Sequence, residues 1–294
     1  MTYKLIHKTK YEYSTKVNKY NGLACLQPLN NHRQKCEAFE ISIQPEPTEM
    51  NSRVDFFGNT LHYFTIDTPH KELIVESKSH VESYFKDLSV LDLSISCAVT
   101  EGYFKNNFLI KNDLGLYFTK SHFIDWDQEI KDFAQLSFAP HLPLYQCVND
   151  LCHRIFTEFE FNSRYTEINT PLKVVLREKK GVCQDFSHLA IACIRSMGFA
   201  ARYVSGYLET RPPAGKEKLQ GSDASHAWIS VFIPEVGWCD FDPTNDLIPQ
   251  ERHIVTAYGR DYGDVVPLKG IIFSAGGHKL KVEVDVIPVL EGVK

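Results

Sequence analysis

The chain has 294 residues, with 32 Lys+Arg against 37 Asp+Glu for a net charge of −5, 43% hydrophobic residues and eight cysteines. At roughly 100–200 residues per domain this length predicts about two domains, and 19 Phe with 14 Tyr are too many aromatics for a disordered chain. The mildly acidic balance excludes the dense basic footprint of a nucleic-acid binder, and no run approaches about 18 consecutive apolar residues, so no membrane-crossing helix and no membrane partner are expected.

In chain order, Phe39, Ile41 and Ile43 alternate with Glu40 and Ser42, Leu61, Tyr63 and Thr65 alternate after Gly58-Asn59, and Leu73 to Val81 is a further strand. Turn-rich pieces such as Gln44-Pro45-Glu46-Pro47 separate them, so residues 1–115 read as an N-terminal antiparallel, sandwich-like β domain. Surface positions are expected for its histidines, His7, His32, His62, His70 and His80. Near residue 120 the pattern changes, and Ser121 and Asp125 offer N-caps for a helix ending near Leu136. Leu144, Cys147, Val148, Leu151, Cys152, Ile155, Phe156 and Phe159 then form one apolar stripe on a helix of about four turns, with Pro143 near its start.

Thr170-Pro171 reads as N-cap and first residue of a short helix through Lys179, broken by Gly181. A second amphipathic helix follows, with Phe186, Leu189, Ala190, Cys193, Ile194 and Met197 on its stripe and Gly198 after its end. Strands are predicted over 201–208, 224–233 and 238–242, and alternation of Leu280, Val282, Val284 and Val286 gives a last one. The loop from Glu209 to Asp223, rich in Pro, Gly and Lys, is placed to cover a site at the start of the His226 strand.

The stretch MTYKLIHKTKYEYS contains no apolar leader, so no secretory signal, a cytoplasmic location and free thiols are expected. The cysteines include no CxxC pair, which weakens zinc-ribbon and thioredoxin readings. Cys183 differs from the other seven. It lies in the first turn of its helix, where unpaired N–H groups and the positive end of the macrodipole favour a thiolate. Gly181 before it would admit a substrate backbone, and the N–H of Cys183 could donate to an oxyanion. Asp185 reads as a first-turn acid that complements the dipole.

A thiolate nucleophile needs a base, and the base an orienting group. His226 opens one strand of a hairpin whose return strand ends in Asp240-Phe241-Asp242-Pro243. Both acids have the parity of His226, and sequence alone does not fix which one is its neighbour. Pro243 should end the strand and leave Asp242 at the rim. A zinc site of Cys183, His226 and Asp242 is conceivable, but no closely spaced ligand pair anchors it, so no metal and no cofactor are expected.

Gly-Val-Cys-Gln-Asp-Phe-Ser-His-Leu (181–189), Ala-Arg-Tyr-Val-Ser-Gly-Tyr-Leu (201–208), Ser-His-Ala-Trp (225–228), Gly-Trp-Cys-Asp-Phe-Asp-Pro-Thr (237–244) and the tail piece Gly-Arg-Asp-Tyr (259–262) together resemble the transglutaminase-like core. They are similar above all to bacterial transglutaminase-like proteins taken to be cysteine proteases, which carry an N-terminal β domain. The resemblance implies an α+β chain: the β domain, then a papain-like core over 116–294 with a helical lead-in and a C-terminal strand. In that core a helix bearing the nucleophilic cysteine packs on an antiparallel sheet.

The resemblance also implies roles. Cys183 becomes the nucleophile, His226 the general base and then acid, and Asp242, rather than Asp240, the residue that orients His226. The Cys183 N–H, the Gln184 side chain and Tyr165 are candidate oxyanion donors. Animal transglutaminases bind calcium and have a Trp where Gln184 stands; no clustered acidic loop occurs here, so hydrolysis of peptide or amide bonds in a peptide or protein substrate is expected. An amine-accepting transglutaminase uses the same triad and is the alternative. A non-catalytic binding protein on the same fold is the reading from a different class, and would be expected to lack a triad residue.

Overall fold

The computed structural model describes residues 1–85, 91–165, 167–210, 225–272 and 276–289. The strands and helices are β1 (Thr2–Val17), β2 (Tyr20–Ala24), β3 (Gln34–Gln44), β4 (Glu49–Val54), β5 (Thr60–Ile66), β6 (His70–Ser83), α1 (Cys97–Asn106), α2 (Phe108–Asp113), α3 (Gln128–Gln135), α4 (Leu144–Glu158), β7 (Glu160–Phe161), α5 (Leu172–Glu178), β8 (Lys180–Gly181), α6 (Cys183–Ser196), β9 (Ala201–Leu208), β10 (Ser225–Ile233), β11 (Gly237–Phe241), β12 (His253–Gly259), β13 (Leu268–Ile272) and β14 (His278–Val289).

Two antiparallel four-stranded sheets, β14-β1-β6-β3 and β13-β2-β5-β4, make the N-terminal sandwich. Their inner faces share one core, in which Tyr13, Val17 and Val75 from the first sheet meet Tyr20, Phe64, Ile66 and Leu268 from the second. A third four-stranded sheet, β11-β10-β9-β12, is the platform of the core. The expected layout of a cysteine-bearing helix on an antiparallel sheet is therefore present. The strand foreseen near the C-terminus is β14, but it pairs with β1, and β13 pairs with β2. The segment 116–294 thus contributes to the sandwich as well as to the core sheet. The helical lead-in starts before residue 116: Cys97 at the head of α1 packs with Cys147 of α4 in the main core.

Helix α6 explains how that core is built. Every residue from Asp185 to Arg195 is buried, as expected for a helix enclosed on several sides rather than lying on a surface. It packs against α3, α4 and α5 on one side and against β9 and β10 on the other. Strand alternation then sorts β10. Ala227, Ile229, Val231 and Ile233 join the helix-side core, so His226, Trp228 and Ser230 face the sandwich. There Trp228 packs with Leu29, Val204 and Val255.

Several local expectations change. The N-cap of α3 is Asp127, whose carboxylate accepts from the Ile130 N–H at 3.2 Å, not Ser121 or Asp125. Ser121 is held in a bridge with Ile124, and the Asp125 carboxylate is taken by Lys120 and the Trp126 N–H. Pro171, not Thr170, stands at the N-cap of α5. Phe156 is 47% exposed although it falls on the α4 stripe, while Cys147, Cys152 and Phe159 are buried as that stripe requires. His7, His62 and His70 are buried, not on the surface. His7 is covered because β1 docks on the core sheet, where the Tyr207 hydroxyl meets its Nδ1 at 2.9 Å. Of the loop expected over the His226 strand, residues 211–223 lie outside the described residues.

Candidate active site

The segment before Cys183 is held on both sides. Strands β7 and β8 pair in parallel, Asn162 N–H donates to the Gly181 carbonyl at 2.8 Å, and Asp185 Oδ2 accepts from the Val182 N–H at 2.9 Å. Asp185 thus caps the helix, satisfying an N–H that the helix itself leaves unpaired. Glycine at 181 has a reason other than substrate access. A Cβ there would lie 2.9 Å from Asp185 Cβ and 3.2 Å from Phe186 Cε1, so the folded-back cap requires it. Cys183 is partly exposed at this first turn, whereas six of the eight cysteines are buried.

His226 and the two candidate acids come from the β10–β11 hairpin. Its register pairs Ile229 with Phe241 and Ser230 with Asp240, which places Asp242 opposite Trp228 and diagonal to His226 on one face. His226 Nε2 lies 2.6 Å from Asp242 Oδ2. That leaves Nδ1 as the ring nitrogen available to Cys183, whose sulfur helps to raise the pKa of the ring. Asp240, the competing acid, is committed elsewhere: Oδ2 accepts from Arg33 Nη1 at 2.7 Å and from Trp228 Nε1 at 3.3 Å.

Electrostatics fit this division. Burial alone would lower the pKa of His226, but hydrogen bonds to Asp242 and Cys183 and their charges outweigh it, raising the pKa to about 10. Burial likewise works to raise that of Asp242, yet hydrogen bonds from His226 and His253 hold it well below the usual carboxylate range. Around neutral pH the pair is therefore imidazolium and carboxylate. Burial pushes Cys25 and Cys193 up to about 12, and it raises Cys152 as well.

Of the remaining sequence candidates, Gln184 donates its Nε2–H to the Ile168 carbonyl at 3.3 Å, and Tyr165 is 42% exposed with Lys180 over its ring. His188, five residues on from Cys183 along α6, is buried and accepts from the Tyr262 N–H at 3.1 Å. Sequence reasoning missed two neighbours of Asp242. Asn245 donates Nδ2–H to Oδ2 at 2.8 Å and its backbone N–H to Oδ1 at 3.2 Å. His253, at the head of β12, places Nε2 3.2 Å from Oδ2. The signal for Asn245 was its place three residues after Asp242, where an Asx-type turn forms; His253 had none, since β12 itself went unread.

The ligand atoms of His226, Asp242 and His253 lie within 4.8 Å of one another, a donor set that a metal ion could use. A zinc ion with bonds of about 2.0–2.1 Å holds its ligands roughly 3.3 Å apart, whereas His226 Nε2 and Asp242 Oδ2 are 2.6 Å apart. The contact fits a shared proton better than an ion.

The Transglutaminase-like superfamily profile matches residues 132–243, and the Bacterial transglutaminase-like N-terminal region matches residues 3–82. An uncharacterised protein of Mycobacterium tuberculosis is 38% identical over 298 residues, covering 97% of this chain and 92% of its own. One from Mycobacterium leprae is 30% identical over 284 residues, with 96% and 97% covered. A crystal structure from Cytophaga hutchinsonii, whose name gives it as a candidate cysteine protease, superposes with a TM-score of 0.76 at 20% identity, covering 98% of this chain and 91% of that one. A protein-glutamine gamma-glutamyltransferase of Pseudomonas aeruginosa matches over 73 residues at 33% identity, covering 24% of this chain and 11% of its own.

Proposed function

We propose that this chain, which belongs to the transglutaminase-like superfamily, cleaves peptide or amide bonds through an acyl thioester on Cys183. The observation that carries the reading is the 2.6 Å contact of His226 Nε2 with the buried Asp242, on a ring whose pKa Cys183 also helps to raise. Asp242 holds Nε2, so the His226 proton that moves is the one on Nδ1, facing the thiol. The thiolate attacks the carbonyl carbon, and charge gathers on the carbonyl oxygen. The Cys183 N–H, at the positive end of α6, is the proposed donor for that oxygen.

His226 then gives its Nδ1 proton to the leaving amine, and the C–N bond breaks. The acyl group remains on sulfur. His226, now neutral, takes a proton from water, whose oxygen attacks the thioester carbonyl; the C–S bond breaks, the acid leaves, and the thiolate and imidazolium are restored. A cavity of about 710 Å³, lined by Phe123, Trp126, Ile130, Thr170 and Leu172, offers room for a substrate side chain. Gln184 ties its rim to the cysteine helix through Ile168, next to Asn169 of the cavity wall.

A second reading has its own support, the local match to the Pseudomonas glutamyltransferase. There a primary amine replaces water as the acceptor, with the same residues in the same roles. Two experiments test these readings. Iodoacetamide at neutral pH should alkylate Cys183 ahead of the other seven thiols, and equal labelling would sink the nucleophile. Hydrolysis of a peptide library, repeated with a dansylated primary amine, separates the acceptors: amine incorporation in preference to release of acid favours transamidation.

A further inference from the structure

The chemistry above employs His226 and Asp242 but leaves His253, buried against the same carboxylate oxygen, without a part. We propose that His253 is a positioning residue, whose Nε2–H donates to Asp242 Oδ2 and fixes the carboxylate in the orientation that turns His226 Nδ1 toward Cys183. This role rests on the reading of Cys183, His226 and Asp242 as the reactive set.

Three observations support it. The first is geometry. His226 and His253 approach Oδ2 at 2.6 and 3.2 Å from β10 and β12, on opposite sides of β9. Gly206 of β9 lies between them, paired with His226 on one side and Val255 on the other. A Cβ there would come within 2.1 Å of the Ile254 carbonyl oxygen and 2.6 Å of Trp228 Cη2. The second observation is the tautomer. His253 Nδ1 is buried and has no hydrogen-bond partner among the described residues. An N–H there would be an orphaned donor, so the proton belongs on Nε2, facing Oδ2.

The third is charge. The groups facing His253 are Asp242 and His226 from the hairpin and Arg33 from the turn before β3, with the Trp228 ring edge-on at 5.2 Å. Burial lowers the His253 pKa, and the pull of Asp242 does not reverse it. A neutral imidazole therefore donates to Asp242 without cancelling its charge, which remains available to the His226 imidazolium. Two ring N–H donors and the Asn245 amide share one oxygen. Removing His253 leaves that oxygen to His226 and Asn245, so His226 holds its proton more tightly and becomes a poorer acid toward a leaving amine.

The test follows the rate of Cys183 alkylation by iodoacetamide against pH in the full-length protein, as wild type, His253→Leu and His253→Gln. The alkaline step of the profile marks loss of the His226 proton. The Leu variant should move that step upward by about half a unit to one unit, while Gln, which keeps an N–H donor, should leave it at the wild-type position. A space-filling role predicts the reverse ranking, with Leu tolerated and Gln disruptive, and that result overturns the proposal. Nitrogen-15 shifts of wild-type His253 decide the matter even where the Leu chain does not fold: protonation at Nε2 alone is expected, and an Nδ1–H tautomer overturns it. Failure of Cys183 to label ahead of the other thiols overturns the shared reading. Normal labelling with an unmoved Leu profile overturns the His253 role alone.

Discussion

The two faces of the core sheet are covered by different chemistry. Toward α6 the sheet presents Ala227, Ile229, Val231 and Phe241 to an apolar core. Toward the sandwich it presents His226, Trp228, Asp240 and Asp242, and polar side chains come across to meet them. Arg33 reaches Asp240 as well as the Pro249 and Gln250 carbonyls, and Gln34 bonds the backbone of Val255 at both N–H and carbonyl. Asn59 does the same for Tyr258. Apolar packing fixes distance, but only directional bonds fix register. Cys183 is held by the first face, and His226 with Asp242 by the second.

The largest expected effect separates chemistry from either face. Cys183→Ala should abolish amide hydrolysis while leaving the thermal melting curve in place; activity that survives would put the nucleophile elsewhere. Next comes the sandwich side. Arg33→Ala leaves the buried Asp240 carboxylate unpaired, and should destabilise by about 3–5 kcal/mol, read as a lower urea midpoint. On the helix side, Ile229→Ala should cost about 2–5 kcal/mol through cavity formation, yet leave the pH profile of Cys183 labelling unchanged in the folded protein. A shifted profile would show that the two faces are not independent.

The pH dependence sharpens the same contrast. The raised pKa of His226 contributes stability that is present below its ordinary value of about 6.5 and is lost as pH rises toward about 10. The depressed pKa of Asp242 acts oppositely: its contribution is present above the usual carboxylate range and is lost as pH falls through its lower folded value. Asp242→Asn should therefore flatten the loss of unfolding free energy between pH 6.5 and about 10, as measured by urea titration at each pH. The smallest effect is expected at the cap, where Asp185→Ala should cost about 1 kcal/mol.

Which of these features the sequence carried depends on the range of the interaction. The stripe of α4, the start of α6 and the parity of His226 with Asp242 are local, set by helical and strand periods. The choice between Asp240 and Asp242 is not. It turns on the hairpin register, fixed where Ile233 pairs with Gly237 around a turn with Glu235 and Gly237 at positive φ, and on Arg33, which lies 207 positions away along the chain. Burial of His7, His62 and His70 was unreadable for the same reason: a polar residue on a strand looks solvent-facing until its neighbouring layer is known. His253 belongs to a strand whose His-Ile-Val-Thr-Ala-Tyr-Gly run has no clean period, and a bulge between Val255 and Ala257 interrupts its pairing with β9.

The pairing of β1 with β14 bears on how the polypeptide acquires its shape. Twelve residue pairs join strands at opposite ends of the chain, from Thr2 with Val289 to Tyr13 with His278. Contacts so distant in sequence form slowly, because a long loop must close before any of them can form. On a ribosome β1 emerges long before β14, and it pairs on one side with β6 while its other edge waits for that partner. Until then that edge presents a row of unsatisfied N–H and C=O groups, a template for pairing with another molecule. Its lysines, Lys4, Lys8 and Lys10 among them, put charge along a strand whose one edge stays open until β14 emerges.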